Sequence, residues 1–524
     1  MEHDAWERVR AAGRAEAGLG LADFFADEPG RAETMRAEAA GMLLDWSRAR
    51  VGPGGRAALA AYDRASGVGD RLGAMLSGEV VNVTEDRPAH HSALRAQPAA
   101  PVVAEAAAHA ATFAERLRGD GTRAVLWLGI GGSDLGPRLG LDALWPMADG
   151  PEIRFASNVD GWALDRALAG LEPATTRIVV CSKSFSTAET MRNARSARAW
   201  MEAALGPAET DARIAAVTAK PGRAAEFGVD PARVFPLWDW VGGRFSVWSA
   251  VGLPMRIALG NAAFDRFLAG ARKMDEHLGA GPAETRLPVI LAALDLWNLD
   301  VLGLPALAVV PYADQLRLLP DYLQQLVMES NGKGVTEAGA PVSVQAAPLV
   351  WGAPGTDAQH SFFQWLHQGP TPCPVEFVLP VSAEDPRPGH ADALAANCVA
   401  QASALMLGRG PAETEAAMAT EGADAAEIAR LASHRTFPGG RPSVTLLTDG
   451  VGPESLGALI ALWEHRVAAA GFMAGIDPFD QWGVEYGKSM ADRLAPLLSG
   501  EAQSRAPDPA TAALAAEIRR RRGV

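Results

Sequence analysis

Cysteine is scarce in this chain. Its 524 residues include three, Cys181, Cys373 and Cys398, with no CxxC pair and no metal-ligand spacing. That pattern argues against a disulfide framework or a zinc ribbon and points to a reducing, cytoplasmic compartment. A signal-peptide start is missing too: "MEHDAWERVRAAG" mixes charges of both signs and has no apolar core. No apolar run stays unbroken for the length of a membrane span. The most apolar stretch, "LPVILAALDLWNLDVLGLPALAVVP", is interrupted by Asp295, Asn298, Asp300 and Pro305. It reads as a buried helix followed by a strand or loop. Positive charge is also in deficit. At a net charge of −14 the molecule as a whole is not drawn to nucleic acid or to anionic membrane. An anionic ligand would have to be held by a local cluster of donors.

What is present is ordinary folded-protein composition, 48% hydrophobic and 21% charged, in a chain too long for one compact core. Two domains are expected. The first ~100 residues read as Ala-rich amphipathic helices broken at "VGPGG" and "SGVG". From Arg123 the texture changes. Short apolar runs ("RAVLWLGIGG", "EIRFASNVDG", "TRIVVCSKSFST", "ARIAAVTAK") alternate with helical stretches, which implies βαβ units and a parallel sheet. A second α/β region begins after ~285, with "LPALAVVPYA", "PVEFVLPVSA" and "RPSVTLLTDG". No fixed-period repeat stands out, although related folds would suit the two regions. The closing "EIRRRRGV" reads as a solvated helix end, where cations suit the dipole.

Several short segments bear on chemistry. "LWLGIGGSDLGP" has the order strand, glycine turn, helix, so backbone N–H groups near Gly132 and Ser133 can face an anion. It is neither the dinucleotide fingerprint nor a Walker A loop, and a plain tight turn is the alternative. "CSKSFSTAET" follows another apolar strand and brings Ser182, Ser184, Ser186 and Thr187, with Lys183, to a helix start. Ser186 and Glu189 have capping-box spacing, but a cap needs one hydroxyl, not four and a lysine. Two such loops at the carboxyl ends of neighbouring parallel strands suit a phosphorylated small molecule.

Other segments carry single candidates. "VGGRFSVWSAVGLP" presents Arg244 ahead of an apolar run, as a surface arginine or as a partly buried fork facing an oxyanion. In "PDYLQQLVMESNGKG" a helix begun by Pro320 and closed by Gly332 would bury Tyr322, Leu323, Leu326 and Val327. Gln325 and Glu329 then stack at the edge of that face. A carboxylate there is half-desolvated, with raised proton affinity, as a general base should be; a solvated helix-end glutamate is the alternative. "GTDAQHSFFQWLHQG" places His360 and His367 seven apart on one helix face, with at least one expected to be structural. "FDQWGVEYGKSMA" spaces Gln481, Glu485 and Lys488 by four and three, which permits either an ion pair or a lysine facing a substrate oxygen.

Taken together, "GGRFSVWSAVGLP", "MESNGK" and "FDQWGVEYGK" resemble signatures of the phosphoglucose isomerase (glucose-6-phosphate isomerase) family. "GIGGSDLGP", "SKSFSTAET", "GTDAQHSFFQWLHQG" and the early "GEVVNVTEDRPAHHSALR" agree in the expected order, from about Leu43 to Ala491. The resemblance implies an α/β fold of two sugar-isomerase (SIS) three-layer αβα sandwiches with mostly parallel sheets and helical terminal segments. Residues 1–115 would form an N-terminal helical segment on the larger domain and 116–284 the smaller domain with the phosphate loops. Residues 285–500 would form the larger domain with the catalytic Glu and Lys, and 501–524 a tail.

The implied activity is reversible interconversion of glucose 6-phosphate and fructose 6-phosphate in glycolysis and gluconeogenesis, with neither metal nor cofactor. A homodimer with its active site near the subunit interface is also implied. By the same resemblance Glu329 is the base between C2 and C1, and Arg244 stabilises the enediolate. His360, reaching from the partner subunit, and Lys488 assist ring opening. Ser182, Lys183, Ser184 and Thr187 hold phosphate with Gly132 and Ser133 nearby, while Gln325 and Gln481 line the sugar. Ser184 and Ser186 replace usual threonines, Ala358 a usual glycine and Tyr486 a usual leucine. The serines keep their hydroxyls, and Ala358 asks for an unstrained backbone beside His360. Modest effects on rate are expected. A non-catalytic SIS-type sensor would need a basic DNA-binding module, and an amidotransferase-type hexosamine synthase an N-terminal cysteine. The chain offers neither.

Overall fold

The computed structural model describes residues 2–282, 285–382, 386–499 and 505–523. The expected domain limits at 284 and 500 lie outside the described residues. Helices Glu2–Glu16, Leu21–Asp27, Pro53–Ser66, Val68–Ser77 and Pro101–Gly119 follow the Ala-rich pattern, with breaks at both glycine clusters. One N-terminal element differs from expectation. Strands β1 (Arg36–Ala39) and β2 (Met42–Asp45) form an antiparallel hairpin. Its loop residues Ala40 and Gly41 have φ of 50° and 75°, the paired positive values of a tight hairpin turn. Alanines at 37, 39 and 40 give this stretch the composition of a helix. A short antiparallel ribbon follows, β3 (Val80–Asn82) with β4 (Arg87–Pro88).

The first large sheet contains β5 (Ala124–Leu128), β6 (Glu152–Phe155), β7 (Thr176–Cys181), β8 (Ile214–Thr218) and β9 (Val234–Pro236). All its pairings are parallel, in the order β6-β5-β7-β8-β9. Every residue of β5 and β8 is buried, as a parallel sheet covered on both faces requires. Strand alternation sorts the side chains. Leu126, Leu128, Ile178 and Val180 meet Leu164, Met191 and Met201 on one face. Val125, Trp127 and Val179 meet Phe113, Leu117 and Leu253 on the other. The result is a three-layer αβα sandwich. Because β6 lies on the far side of β5, the winding reverses between β5 and β7. Loops leaving the carboxyl ends of those two strands diverge and open a crevice.

Strands β10 (Ala306–Pro311), β11 (Leu349–Gly352), β12 (Val375–Pro380) and β13 (Ser443–Thr448) repeat that order as β11-β10-β12-β13, all parallel. The hairpin completes this second sheet, with β2 antiparallel to β13. Val310, Val375 and Phe377 pack against Phe363, Leu366 and Leu405. The long apolar stretch resolves into helix Leu287–Leu296, a π-helical segment Trp297–Val301 and β10. Among the described residues no helix is long and apolar enough to cross a membrane. All three cysteines are buried and free, and burial pushes the Cys181 thiol up to about 12.

Helix Pro453–Met473 is buried along almost its whole length and runs against helix Asn261–Gly279. Their backbones approach so closely that a Cβ on Gly457 would stand 2.0 Å from Phe267 O. Arg95 forks onto Asp275 at 2.6 and 2.7 Å and reaches Glu464 at 2.8 Å, tying the N-terminal segment to both helices. Arg466 does the same with Asp295 and Glu376.

The chain divides into two compact units. One runs to Pro478 and holds both large sheets; the other is Phe479–Val524. In the second unit helix Trp482–Ser499 is followed by Pro509–Arg522, which opens on an Asp508 cap to Thr511 N–H at 2.9 Å. It ends in Arg519–Arg522 before Gly523 at φ 73°, the solvated terminus expected from the sequence.

Candidate active site

Two loops leave the crevice between β5 and β7. The first, Gly129 to Ser133, is fixed by Trp127 Nε1 donating to Ser133 O at 2.7 Å. A Cβ on Gly129 would stand 3.3 Å from Cys181 O at the end of β7, so the two loops start side by side. In the second loop the Ser182 and Thr187 hydroxyls lie 3.1 Å apart, and Ser186 Oγ donates to Ser184 Oγ at 2.9 Å. Between them Phe185 buries its ring and takes φ 50°, a strained state for an aromatic residue.

The capping box expected of Ser186 and Glu189 does not form. Helix Ala188–Leu205 starts with Thr187 at its cap, one residue later than the spacing implied, and among the described residues no side chain caps it. Ser186 turns to Ser184 instead. The hydroxyls therefore cluster beside uncapped amides, the chemistry of an anion cradle. Lys183 Nζ donates to Asp239 O and Val241 O at 3.1 and 3.0 Å. Burial, and next the charge of Arg87, lower its amine to about 8.

Gly132 links these loops to the other half of the site. A Cβ there would lie 2.0 Å from Gly243 O, so only glycine permits the approach. Gly243 opens the turn that presents Arg244, whose side chain is 1% exposed. The fork expected to be partly buried is fully so. Its Nε donates to Ser330 Oγ at 2.5 Å, Nη2 to Pro478 O at 2.8 Å and Nη1 to Glu329 Oε2 at 3.4 Å. The Tyr322 hydroxyl donates to the Arg244 carbonyl at 3.2 Å.

The helix from Leu319 buries Tyr322, Leu323, Leu326 and Val327, as its periodicity predicts. It does not stay α-helical. From Gln324 to Glu329 it widens into a π-helical turn, a device frequent at functional sites. Gln325 Nε2 donates to Glu329 Oε2 at 3.0 Å. Both hydrogen bonds thus fall on Oε2, while Oε1 has no partner among the described residues. The side chain is 21% exposed. A carboxylate with one oxygen held and the other open is placed to accept a proton. The sequence marks Tyr322 only as a core residue of this helix and singles out neither Ser330 nor Pro478. Adjacency to Glu329 was the available signal for Ser330, whereas the Pro478 carbonyl leaves none.

His360 closes the 3₁₀ turn Asp357–His360, and helix Phe363–Gln368 starts afresh beyond it, so His360 and His367 do not share a helix face. Ser361 and Phe362 break the run, with φ of −118° and −123°. His367 is structural, its Nε2 2.8 Å from Gln401 Oε1 and its ring between Phe363 and Phe437. His360 is exposed and has no hydrogen-bond partner among the described residues. Ala358 is fully buried outside the left-handed region, so its methyl fits without strain. Gln481 and Lys488 belong to the second unit, where Lys488 Nζ lies 3.0 Å from Glu485 Oε1 in an exposed ion pair. Among the described residues no three His, Cys, Asp or Glu side chains are grouped to hold a metal.

Residues 45–515 match the family model described as phosphoglucose isomerase. The chain belongs to the phosphoglucose isomerase family. A family member from Chelativorans sp. (strain BNC1), named glucose-6-phosphate isomerase, is 43% identical over 98% of each chain. One of the same name from Cereibacter sphaeroides is 42% identical over 98% of this chain and 99% of its own. Among solved structures, a glucose-6-phosphate isomerase from Chlamydia trachomatis superposes with a TM-score of 0.84 at 30% identity, covering 96% of this chain and 97% of its own. Membership in the phosphoglucose isomerase family thus extends over both sheets and both units.

Proposed function

We propose that this chain interconverts D-glucose 6-phosphate and D-fructose 6-phosphate, an aldose–ketose isomerisation, by passing one proton between C2 and C1. The observation that carries the reading is the open Oε1 of Glu329 beside a buried guanidinium. From the open-chain aldose, Glu329 takes the C2 proton and leaves a cis-enediolate, whose oxygens exchange a proton. It then returns its proton to C1, so the group ends as it began and one carboxylate suffices. Arg244 stabilises the charge that develops on the enediolate, an interaction strongest where water is excluded. Ser182, Lys183, Ser184 and Thr187 hold the phosphate, with Gly132 and Ser133 close by, while Gln325 and Gln481 line the sugar. His360 and Lys488 assist ring opening, in a cytoplasmic homodimer where His360 serves the partner's site. Support for that arrangement comes from the exposed, unpartnered ring of His360.

Glu329→Gln tests the reading, because the amide keeps the shape and cannot accept the proton. In a coupled assay on fructose 6-phosphate, with and without chelator, turnover should fall roughly 10²–10⁴-fold. Exchange of deuterium from solvent into the sugar should fall with it, and binding should persist. Near-normal turnover or exchange in that variant removes Glu329 from its role.

A further inference from the structure

The hydroxyl loop has a second, outward side. There Phe185, Met191 and Phe227 floor an open groove of about 510 Å³. Its walls carry Arg192 and Arg195 from the helix after the loop and Arg223 from the short helix Pro221–Glu226 that follows β8, with Glu226 the one acid on its lining. Three cations against one acid run counter to a chain of net charge −14. Arg192 and Arg195 have no ion pair or hydrogen bond among the described residues. One turn further on, Arg198 shows how this helix normally spends an arginine: it pairs with Glu202 at 2.7 Å and Asp211 at 2.5 Å and lies over Phe227. Residues three apart on a helix are neighbours, so the two unpaired guanidiniums repel each other unless an anion lies between them. Arg223 Nη1 donates to Ser184 O at 2.8 Å, which makes the groove and the hydroxyl loop share a wall.

We infer that this groove is a second anion site, taking a small organic polyanion with two phosphate or carboxylate groups, distinct from the pocket that faces Glu329. Planar guanidiniums pair with such groups in bidentate fashion, and the apolar floor suits the carbon chain between them. An occupant also pulls on Arg223, and through the Ser184 carbonyl it reaches the loop that presents the hydroxyls. The inference does not depend on which molecule that loop holds.

The test is calorimetric titration of the full chain with inorganic pyrophosphate at low ionic strength, where exposed charges are least screened. Wild type should bind in two classes, at the hydroxyl loop and at the groove. Arg192→Ser with Arg195→Ser, both exposed positions, should weaken one class by roughly tenfold or more and spare the other. Ser182→Ala with Thr187→Ala should do the converse. Turnover on fructose 6-phosphate without pyrophosphate should be unchanged in the double arginine variant, so failure here is read separately from failure of the isomerase reading. Unaltered binding in the double arginine variant overturns the proposal.

Discussion

Arg244 is anchored by the protein itself, by a serine hydroxyl at Nε, a proline carbonyl at Nη2 and a tyrosine hydroxyl on its own carbonyl. These bonds fix where its charge sits, and Ser330 is the easiest to remove. Ser330→Ala leaves a buried guanidinium N–H without its acceptor, at a cost of about 1–3 kcal/mol in stability. If Arg244 stabilises the enediolate as proposed, the change should lower kcat while leaving KM close to wild type. A KM effect alone, measured by steady-state kinetics, would place Ser330 in binding instead. Lys183 offers a test by pH. Its amine, lowered to about 8, lies below the free lysine value of about 10.4. Between those values the unfolded chain holds a proton that the folded chain lacks, so this group makes stability rise with pH there. If Lys183 holds the phosphate as proposed, binding runs the other way, since it needs the ammonium. KM for fructose 6-phosphate should climb above pH 8 with kcat little changed, and Lys183→Arg should flatten the climb. A pH profile that the arginine leaves unaltered removes Lys183 from phosphate binding.

At the scale of elements, the site depends on two turns in backbone contact. Gly132→Ala would drive a methyl into Gly243 O and push the Arg244 turn away from Glu329. Overpacking of this kind costs about 1–3 kcal/mol, so both the melting temperature and kcat should fall; unchanged values of both would mean the turns part without consequence. Elements whose pattern is local were legible in the sequence. The run "AVLWL" and its glycine turn specify a buried strand opening on a loop, and Tyr322 to Val327 mark a buried helix face. Less legible were features set by competition among neighbours. Alanines conceal the hairpin Arg36–Asp45, whose strands are held by pairing with β13. The π-helical turn at Gln324–Glu329 has no residue signature, and it places Gln325 and Arg244 on the same carboxylate oxygen. The capping box does not form because the helix starts on Thr187, one residue past Ser186, whose hydroxyl bonds Ser184.

At the scale of the whole molecule, one sheet order occurs twice, and the crevice of the first copy holds the hydroxyl loop. Glu329 and Arg244 are joined within one chain, but His360 stands exposed at the end of its 3₁₀ turn. If His360 serves the partner's site, two separately inactive proteins should rescue each other. Glu329→Gln and His360→Ala, unfolded and refolded together, form mixed dimers in which one site combines an intact Glu329 with an intact His360. Its twin carries both lesions. Random pairing makes half the dimers mixed, each with one of two sites restored, so activity should return to about a quarter of wild type. Were His360 to act within its own chain, every site in every dimer would carry a lesion. Activity of the mixture would then stay at the sum of the two parents, and the assignment across the interface would be withdrawn.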